Sequence, residues 1–453
     1  MTPPPLIADN QTIAAESLAK RLGKVVWRYT FSLPATENNP VGSYAIGDRS
    51  WQVALPVGPH LRIAFTACNG RESDRPGDDS PERNAMWRHL LQKHMEEPFQ
   101  LMLQGGDQLY ADYVWEAVPA LTEWRRQGRP PEATLTAEAV AVIEDYYFEL
   151  YCWLWGQAEL TQIQATIPSL MMWDDHDIFD GWGSYPANLQ KSQPFDAVGT
   201  AARNQFALFQ MAIRPDQLPD QLPAGIGDDS GIHFGTVFNL GELGIIIPDL
   251  RSERTQQQVM GPAGQRWFAN ALAQLADCRH ILLVSTVPLI NVDLSPIERL
   301  VSLVPGDSLF QTDLRDQWRS YAHRQEWLRL IKQLFDFSEQ TKTQLTILSG
   351  EIHLGALGQM TRGKTILYQL TASGIVHPPP PRLFARCLDL CSRMQRTVDT
   401  ETKHQMLPLP GYGRRYLTAR NWLALECDLS HSLKAKWYAE HLDDNMELLI
   451  PGP

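Results

Sequence analysis

No window of the 453-residue chain approaches the roughly 18 uninterrupted apolar positions that a membrane-spanning helix needs. The opening MTPPPLIADNQTIAAESLAKRLGK has neither an apolar export core nor an adjacent arginine pair, so a cytoplasmic location is the default expectation. Cysteine is sparse. Cys68, Cys152, Cys278, Cys387, Cys391 and Cys427 are scattered in a way that fits reduced thiols better than a disulfide framework. Cys387 and Cys391 fall four apart on an expected helix, where packing accounts for them more simply than metal binding. Low-complexity tracts and fixed-period repeats are missing too. Basic residues are outnumbered, 40 Lys and Arg against 52 Asp and Glu, for a formal net charge of −12. That balance argues against non-specific nucleic-acid binding, which rests on clustered cations. It would also repel anionic substrates, so a phosphate-handling site must carry local positive charge from metal ions and a few arginines.

What is present is the composition of a globular enzyme, 43% hydrophobic and 20% charged with 14 Trp. The length suits one large domain with an appendage, or two ordinary domains. Between residues 24 and 57 the short alternating runs VVWRYTFSL and SWQVALP predict a small β-rich N-terminal portion. Beyond it, apolar runs of strand length alternate with helical spacing such as ERNAMWRHLLQKHM and AVAVIEDYYFELYCWLWGQAEL. The runs are continuous rather than alternating, which predicts strands buried on both faces in an α/β or layered core.

Their ends carry the chemistry. LRIAFTAC stops at Cys68, FQLMLQGGD at Asp107, and IPSLMMWDDHD runs into Asp174, Asp175, His176 and Asp177. LGIIIPDLRSER reaches Asp249, Arg251 and Arg254, and QLTILSGEIHLG reaches Glu351 and His353. HILLVSTVPLI ends with no ionisable group. Ligands of open α/β sheets gather outside the carboxyl ends of strands, so five loaded ends predict one shared site. In GDQLY, Asp107 and Tyr110 can reach one ion, the phenolate suiting a hard trivalent cation; the plain alternative is a turn aspartate beside a core tyrosine. In WDDHD, three carboxylates around one histidine repel one another unless cations intervene. Asp175 is the preferred ligand there, and His176 a candidate proton donor. Glu351 and His353 share a face on a strand, or can grip neighbouring ions on a turn. Arg251 and Arg254 suit phosphate oxygens, against a reading as solvated arginines after a helix-start aspartate. Cys68 is either a small buried hydrophobe or a thiolate ligand. His377, ahead of Pro378, Pro379, Pro380 and Pro381, closes a rigid loop near the mouth, with packing favoured over ligation.

Cys68, GDQLY, WDDHD, DLRSER and SGEIHLG, in this order, resemble the PhoD-like alkaline phosphatases of the calcineurin-like metallophosphoesterase superfamily. The resemblance covers roughly residues 60 to 380. It implies a four-layered αββα sandwich over residues 58–453, with 1–57 as an N-terminal extension and 385–453 packing on the motif-bearing part. It implies Asp107 as a bridging ligand, with Cys68, Tyr110 and His353 around a ferric-type ion. Asp175, where the superfamily's GNH motif has Asn, would hold a second ion, Ca²⁺ in such enzymes, with Mn²⁺ or Zn²⁺ as alternatives. His176 matches the catalytic histidine, and Arg251 would face the phosphate. Two departures stand out. The family's GDVH reads GEIH, so Glu351 replaces an aspartate ligand, and the twin-arginine export signal of secreted relatives is missing.

The expected activity is metal-dependent hydrolysis of a small phosphate ester, with no membrane or nucleic-acid partner. Alternatives are a nuclease-type phosphodiesterase and a metal-bound but inactive interaction module. A serine hydrolase using Ser285 or Ser349 is disfavoured, because no G-x-S-x-G elbow surrounds either.

Overall fold

The computed structural model describes residues 2–77, 80–217, 233–292, 317–393, 395–428, 432–443 and 445–452. Two large sheets organise it. The first has six strands, in the order Met446–Pro451, Ser432–Ala439, Asn421–Asp428, His60–Thr66, Leu101–Gly105 and Ser169–Met172. The last three of these run parallel. The second sheet has nine strands; Leu243–Ile247, His280–Ser285, Gln344–Ser349 and Thr365–Thr371 are its parallel centre.

The alternation of side chains across each strand assigns the layers. Ile63, Phe65, Leu103 and Leu425 of the first sheet pack against Ile245, Leu282, Leu348 and Leu370 of the second, in one buried cluster. The intervening residues Ala64 and Met102 face a different cluster, shared with the helices Ala85–Glu96, Ala137–Trp155 and Gln193–Gln210. Ile246, Leu283 and Ile347 likewise face the helices Pro262–Gln274 and Arg324–Thr341. Helix, sheet, sheet and helix make the expected αββα sandwich. Both faces of the parallel strands are covered, which is why Leu101–Gly105, Leu243–Ile247 and His280–Ser285 are buried throughout.

The long helix Ala137–Trp155 starts at Thr136, whose hydroxyl accepts from Ala139 N–H at 3.2 Å, and stops before Gly156. Its outer face receives the N-terminal portion: Arg21 reaches Glu144 at 2.6 Å and Asp145 at 2.5 Å. Strands there begin at Leu6–Ala8, earlier than the alternating runs suggested, and join Gln11–Ile13, Val41–Ile46 and Arg49–Ala54 in a four-stranded sheet. Ala15–Arg21 pairs with Lys24–Tyr29 as a separate hairpin. AESLAKR is rich in helix formers, and cross-strand pairing overrides that preference.

One expectation fails. Cys387 and Cys391 do not pack; both are exposed on the helix Arg382–Cys391, whose core contacts are Ala385 and Leu388. The four-residue spacing identified the shared face but not which way it points. No helix among the described residues is long and apolar enough to cross a membrane.

Candidate metal centre

The parallel strands of both sheets end on the same side, and the chain bends sharply just beyond three of those ends. Cys68, Asp107, Glu351 and His353 have φ of 58°, 54°, 64° and 52°, in the left-handed region that side chains avoid. Such strain is on the order of 1–3 kcal/mol per residue and persists only where surroundings enforce it. Here it turns four ionisable side chains out of their strand directions together. Gly106 (φ 96°) is required: a Cβ there would lie 2.6 Å from Thr286 Cγ2 and 2.9 Å from Asp174 Cβ.

Asp107, Asp175 and His176 each present a ligand atom within 4.8 Å of the others. Asp107 Oδ2 lies 3.5 Å from Cys68 Sγ and accepts from the Tyr110 hydroxyl at 3.4 Å. Cys68 Sγ is also 3.1 Å from Ser373 Oγ, which in turn accepts from His353 N–H at 3.0 Å. The aromatic rings form a stack: His176 on Tyr110 with centroids 4.2 Å apart, Tyr110 on His377 at 5.4 Å, and His377 on His353 at 3.5 Å. His176 Nδ1 sits 2.7 Å from Asp112 Oδ2, leaving Nε2 as the nitrogen free to act.

The electrostatics call for cations. Burial, then the charges of Asp174 and Asp175, push the Asp107 carboxyl well above the usual carboxylate range. Burial and Asp107 push the Cys68 thiol up, and burial with Cys68 and Asp107 does the same to the Tyr110 phenol. Burial and the facing His377 and His176 hold His353 neutral, well below the ordinary imidazole range. Burial alone would depress His176 as well, but Asp112, Asp175 and Asp107 outweigh it and hold it well above that range. Asp107 Oδ1 and His353 Nδ1 are buried with no hydrogen-bond partner among the described residues. A thiol, a carboxyl and a phenol that hinder each other's ionisation, beside a neutral imidazole with a bare nitrogen, are what a metal ion resolves. The donor set fits.

Arg251 is fully buried. Its Nε binds Asp174, one Nη lies 3.3 Å from Asp175 Oδ1, and the other 3.3 Å from the Trp182 carbonyl. Arg254 is buried too, its stem against Gly183 and its charge felt by Glu326. Neither is the solvated arginine of the plainer reading. Asp249 instead shapes the turn, accepting from Arg251 N–H at 2.9 Å, Ser252 N–H at 3.0 Å and Trp173 Nε1 at 2.9 Å. Asp177 is also structural: it accepts from the backbone N–H groups of Gln108, Leu109 and Asp174, while burial pushes it to about 7. The Glu351 carboxylate takes two contacts from Gln317 Nε2, at 2.9 and 3.2 Å, and stands outside the Asp107–Asp175–His176 group. Ser285, the alternative nucleophile, donates its hydroxyl to the Val287 carbonyl at 2.6 Å.

Sequence reasoning missed several partners. Asp112 follows Tyr110 by two residues and was available in the same loop. Thr286, at the strand end without an ionisable group, donates to Asp174 at 2.9 Å. Ser373 lies just past the strand Thr365–Thr371, so the strand-end rule that found the other residues applies to it as well. Glu72, which meets His377 Nε2 at 3.1 Å and is pulled down to about 2 by that contact, lies in a loop with no distinguishing pattern.

The family model described as PhoD related phosphatase matches residues 81–309, just over half of the chain. The chain belongs to the PhoD-related phosphatase family. Phosphoester hydrolysis aided by metal ions is therefore its chemistry, which makes it a phosphoric ester hydrolase. It is 24% identical over 531 residues to uncharacterized protein YGR266W of Saccharomyces cerevisiae, covering 94% of this chain and 74% of that one. Among solved structures, PhoD aligns over 99% of this chain and 82% of its own, with TM-score 0.61 and 14% identity. The purple acid phosphatase PPD1 from yellow lupin (Lupinus luteus) seeds aligns over 99% and 69%, with TM-score 0.52 and 10% identity. At these identities the two structures speak to the fold of this family member, and the sandwich described above is the fold they share.

Proposed function

We propose that the chain hydrolyses small phosphate esters, with Cys68, Asp107, Tyr110 and His353 holding one ion and Asp175 a second, Asp107 being shared; Glu351 would join the second ion only by leaving Gln317. The observation that supports this most directly is the approach of Asp107 to Asp175 and His176, all within 4.8 Å, from two different strand ends. When bound, the metals supply positive charge to a phosphoryl oxygen and lower the pKa of water. A thiolate and a phenolate on one side favour Fe³⁺ there, and the all-carboxylate side favours Ca²⁺, with Mn²⁺ or Zn²⁺ as substitutes. His176, held by Asp112 through Nδ1, gives a proton from Nε2 to the leaving oxygen. Arg251 and Arg254 balance charge on the phosphate. Residues 58–453 form the catalytic domain in this reading, and 1–57 an extension of it.

His176→Ala should lower kcat on p-nitrophenyl phosphate by about 10²–10⁴-fold. Asp112→Asn should act differently. Asp112 raises the imidazole, so its loss lets His176 deprotonate at lower pH, and the alkaline limb of the pH–rate profile moves toward acid. An unaltered profile in Asp112→Asn would remove His176 as the acid. The metal assignment has its own readout: Fe³⁺ on Tyr110 should give a visible tyrosinate band that vanishes in Tyr110→Phe. A colourless, iron-free active enzyme would reassign Tyr110 and Cys68.

A further inference from the structure

The helix Arg382–Cys391 begins directly after Pro378–Pro381, the prolines that follow His377 in the metal-centre stack. One face packs on the second sheet through Ala385 and Leu388. The opposite face is apolar and in solvent: Leu383 is 73% exposed, Leu390 64% and Phe384 40%, and the Cys387 and Cys391 thiols lie between them. At 100° per residue these five side chains span an arc of about 120°. Arg386 and, further round, Arg382 lie along one edge of that arc, exposed and without an ion pair among the described residues, while exposed Arg393 pairs with Asp389 at 3.3 Å. From 382 to 415 the sequence holds seven Lys and Arg against three Asp and Glu, within a chain of net charge −12.

An apolar stripe flanked along one edge by arginines, locally cationic on an otherwise anionic protein, has the design of a helix that lies in a bilayer interface. We infer that this face docks on an anionic lipid surface, with Leu383, Phe384 and Leu390 entering the headgroup boundary and Arg382 and Arg386 meeting lipid phosphates. The local sign of charge selects that occupant: an apolar protein partner needs no cationic border, and another copy of this cationic strip would be repelled. The docking is peripheral: no helix among the described residues is long and apolar enough to cross the bilayer. The inference does not depend on the hydrolytic reading, because binding is measured without turnover.

The test is co-sedimentation of the full chain with vesicles of phosphatidylcholine alone and of phosphatidylcholine with phosphatidylserine. The wild type should pellet with the anionic vesicles at least tenfold more than with the neutral ones, and rising salt should release it. Leu383→Glu combined with Leu390→Glu should reduce pelleting at least tenfold, and Arg382→Glu combined with Arg386→Glu should abolish the preference for anionic lipid. Both variants alter exposed side chains away from the metal ligands, so turnover of soluble p-nitrophenyl phosphate and the unfolding midpoint should stay at wild-type values. Equal pelleting of wild type and Leu383→Glu/Leu390→Glu would overturn the inference. So would a concentration-dependent dimer that the same variant dissolves, which would make the face a contact between copies.

Discussion

Asp107→Asn should abolish phosphoesterase turnover while leaving the sandwich folded. Asparagine keeps the shape of the side chain but cannot act as an anionic ligand, and Asp107 touches both Cys68 and Tyr110 at the centre of the cluster. The loss should be at least about 10²-fold, the scale of removing a preorganised electrostatic element. Stability should move the other way. In metal-free protein, burial together with Asp174 and Asp175 raises the Asp107 carboxyl, so the folded state holds its proton more tightly than the unfolded state. Stability contributed by this group therefore falls as pH climbs above the ordinary carboxylate value of about 4, until the folded carboxyl itself ionises. Asparagine removes that penalty. With chelator at neutral pH, the variant should melt no lower than the wild type and depend less on pH. Added metal should raise the wild-type midpoint logarithmically once its concentration exceeds Kd and leave the variant nearly unmoved. Wild-type turnover in Asp107→Asn would remove the carboxylate from the centre of the chemistry.

Arg251→Met is the second large effect, and here the loss of stability should dominate. Arg251 is fully buried and neutralises Asp174 and Asp175 together, while Thr286 and the Trp182 carbonyl complete the network. Methionine preserves most of the volume, so the change isolates charge from packing. Removing one partner of a buried ion pair costs about 3–5 kcal/mol, since the remaining carboxylates stay buried without compensation. Arg251→Lys should recover only part of this, because an ammonium cannot bridge two carboxylates with a planar fork. Thermal and denaturant unfolding of both variants, with and without metal, measures it. A loss under about 1 kcal/mol would mean that water or metal already compensates Asp174 and Asp175. If Arg251 also contacts phosphate, one of its protein contacts must yield, and KM should rise in Arg251→Lys beyond what destabilisation explains.

The convergence that makes the candidate site was legible because buried parallel strands leave a simple signature. An uninterrupted apolar run must end, and where Cys68, Asp107, the WDDHD carboxylates, Arg251 and His353 stand at those ends, the strand edge gathers them. What the sequence concealed is of two kinds. Asp112, Glu72 and Gln317 act through contacts set by loop geometry, and a polar residue in a loop looks the same whether or not it supports another side chain. The left-handed backbone at Cys68, Asp107, Glu351 and His353 is hidden for the opposite reason: glycine is its usual sign, and these positions need side chains instead. The helix Arg382–Cys391 was found by spacing but turned the wrong way, since Ala385 and Leu388 bury as readily as Leu383 and Leu390 would. The early strands were missed because AESLAKR carries helix-forming residues into a hairpin.

The pairing of His60–Thr66 with Asn421–Asp428 carries a consequence for how the protein is born. The strand leading to Cys68 leaves the ribosome early and waits for a neighbour encoded more than 350 positions later, the kind of distant closure that slows assembly. Until that neighbour arrives, one edge of the strand His60–Thr66 is left unpaired. Such a late-closing edge is the kind of surface that chaperones shield during synthesis.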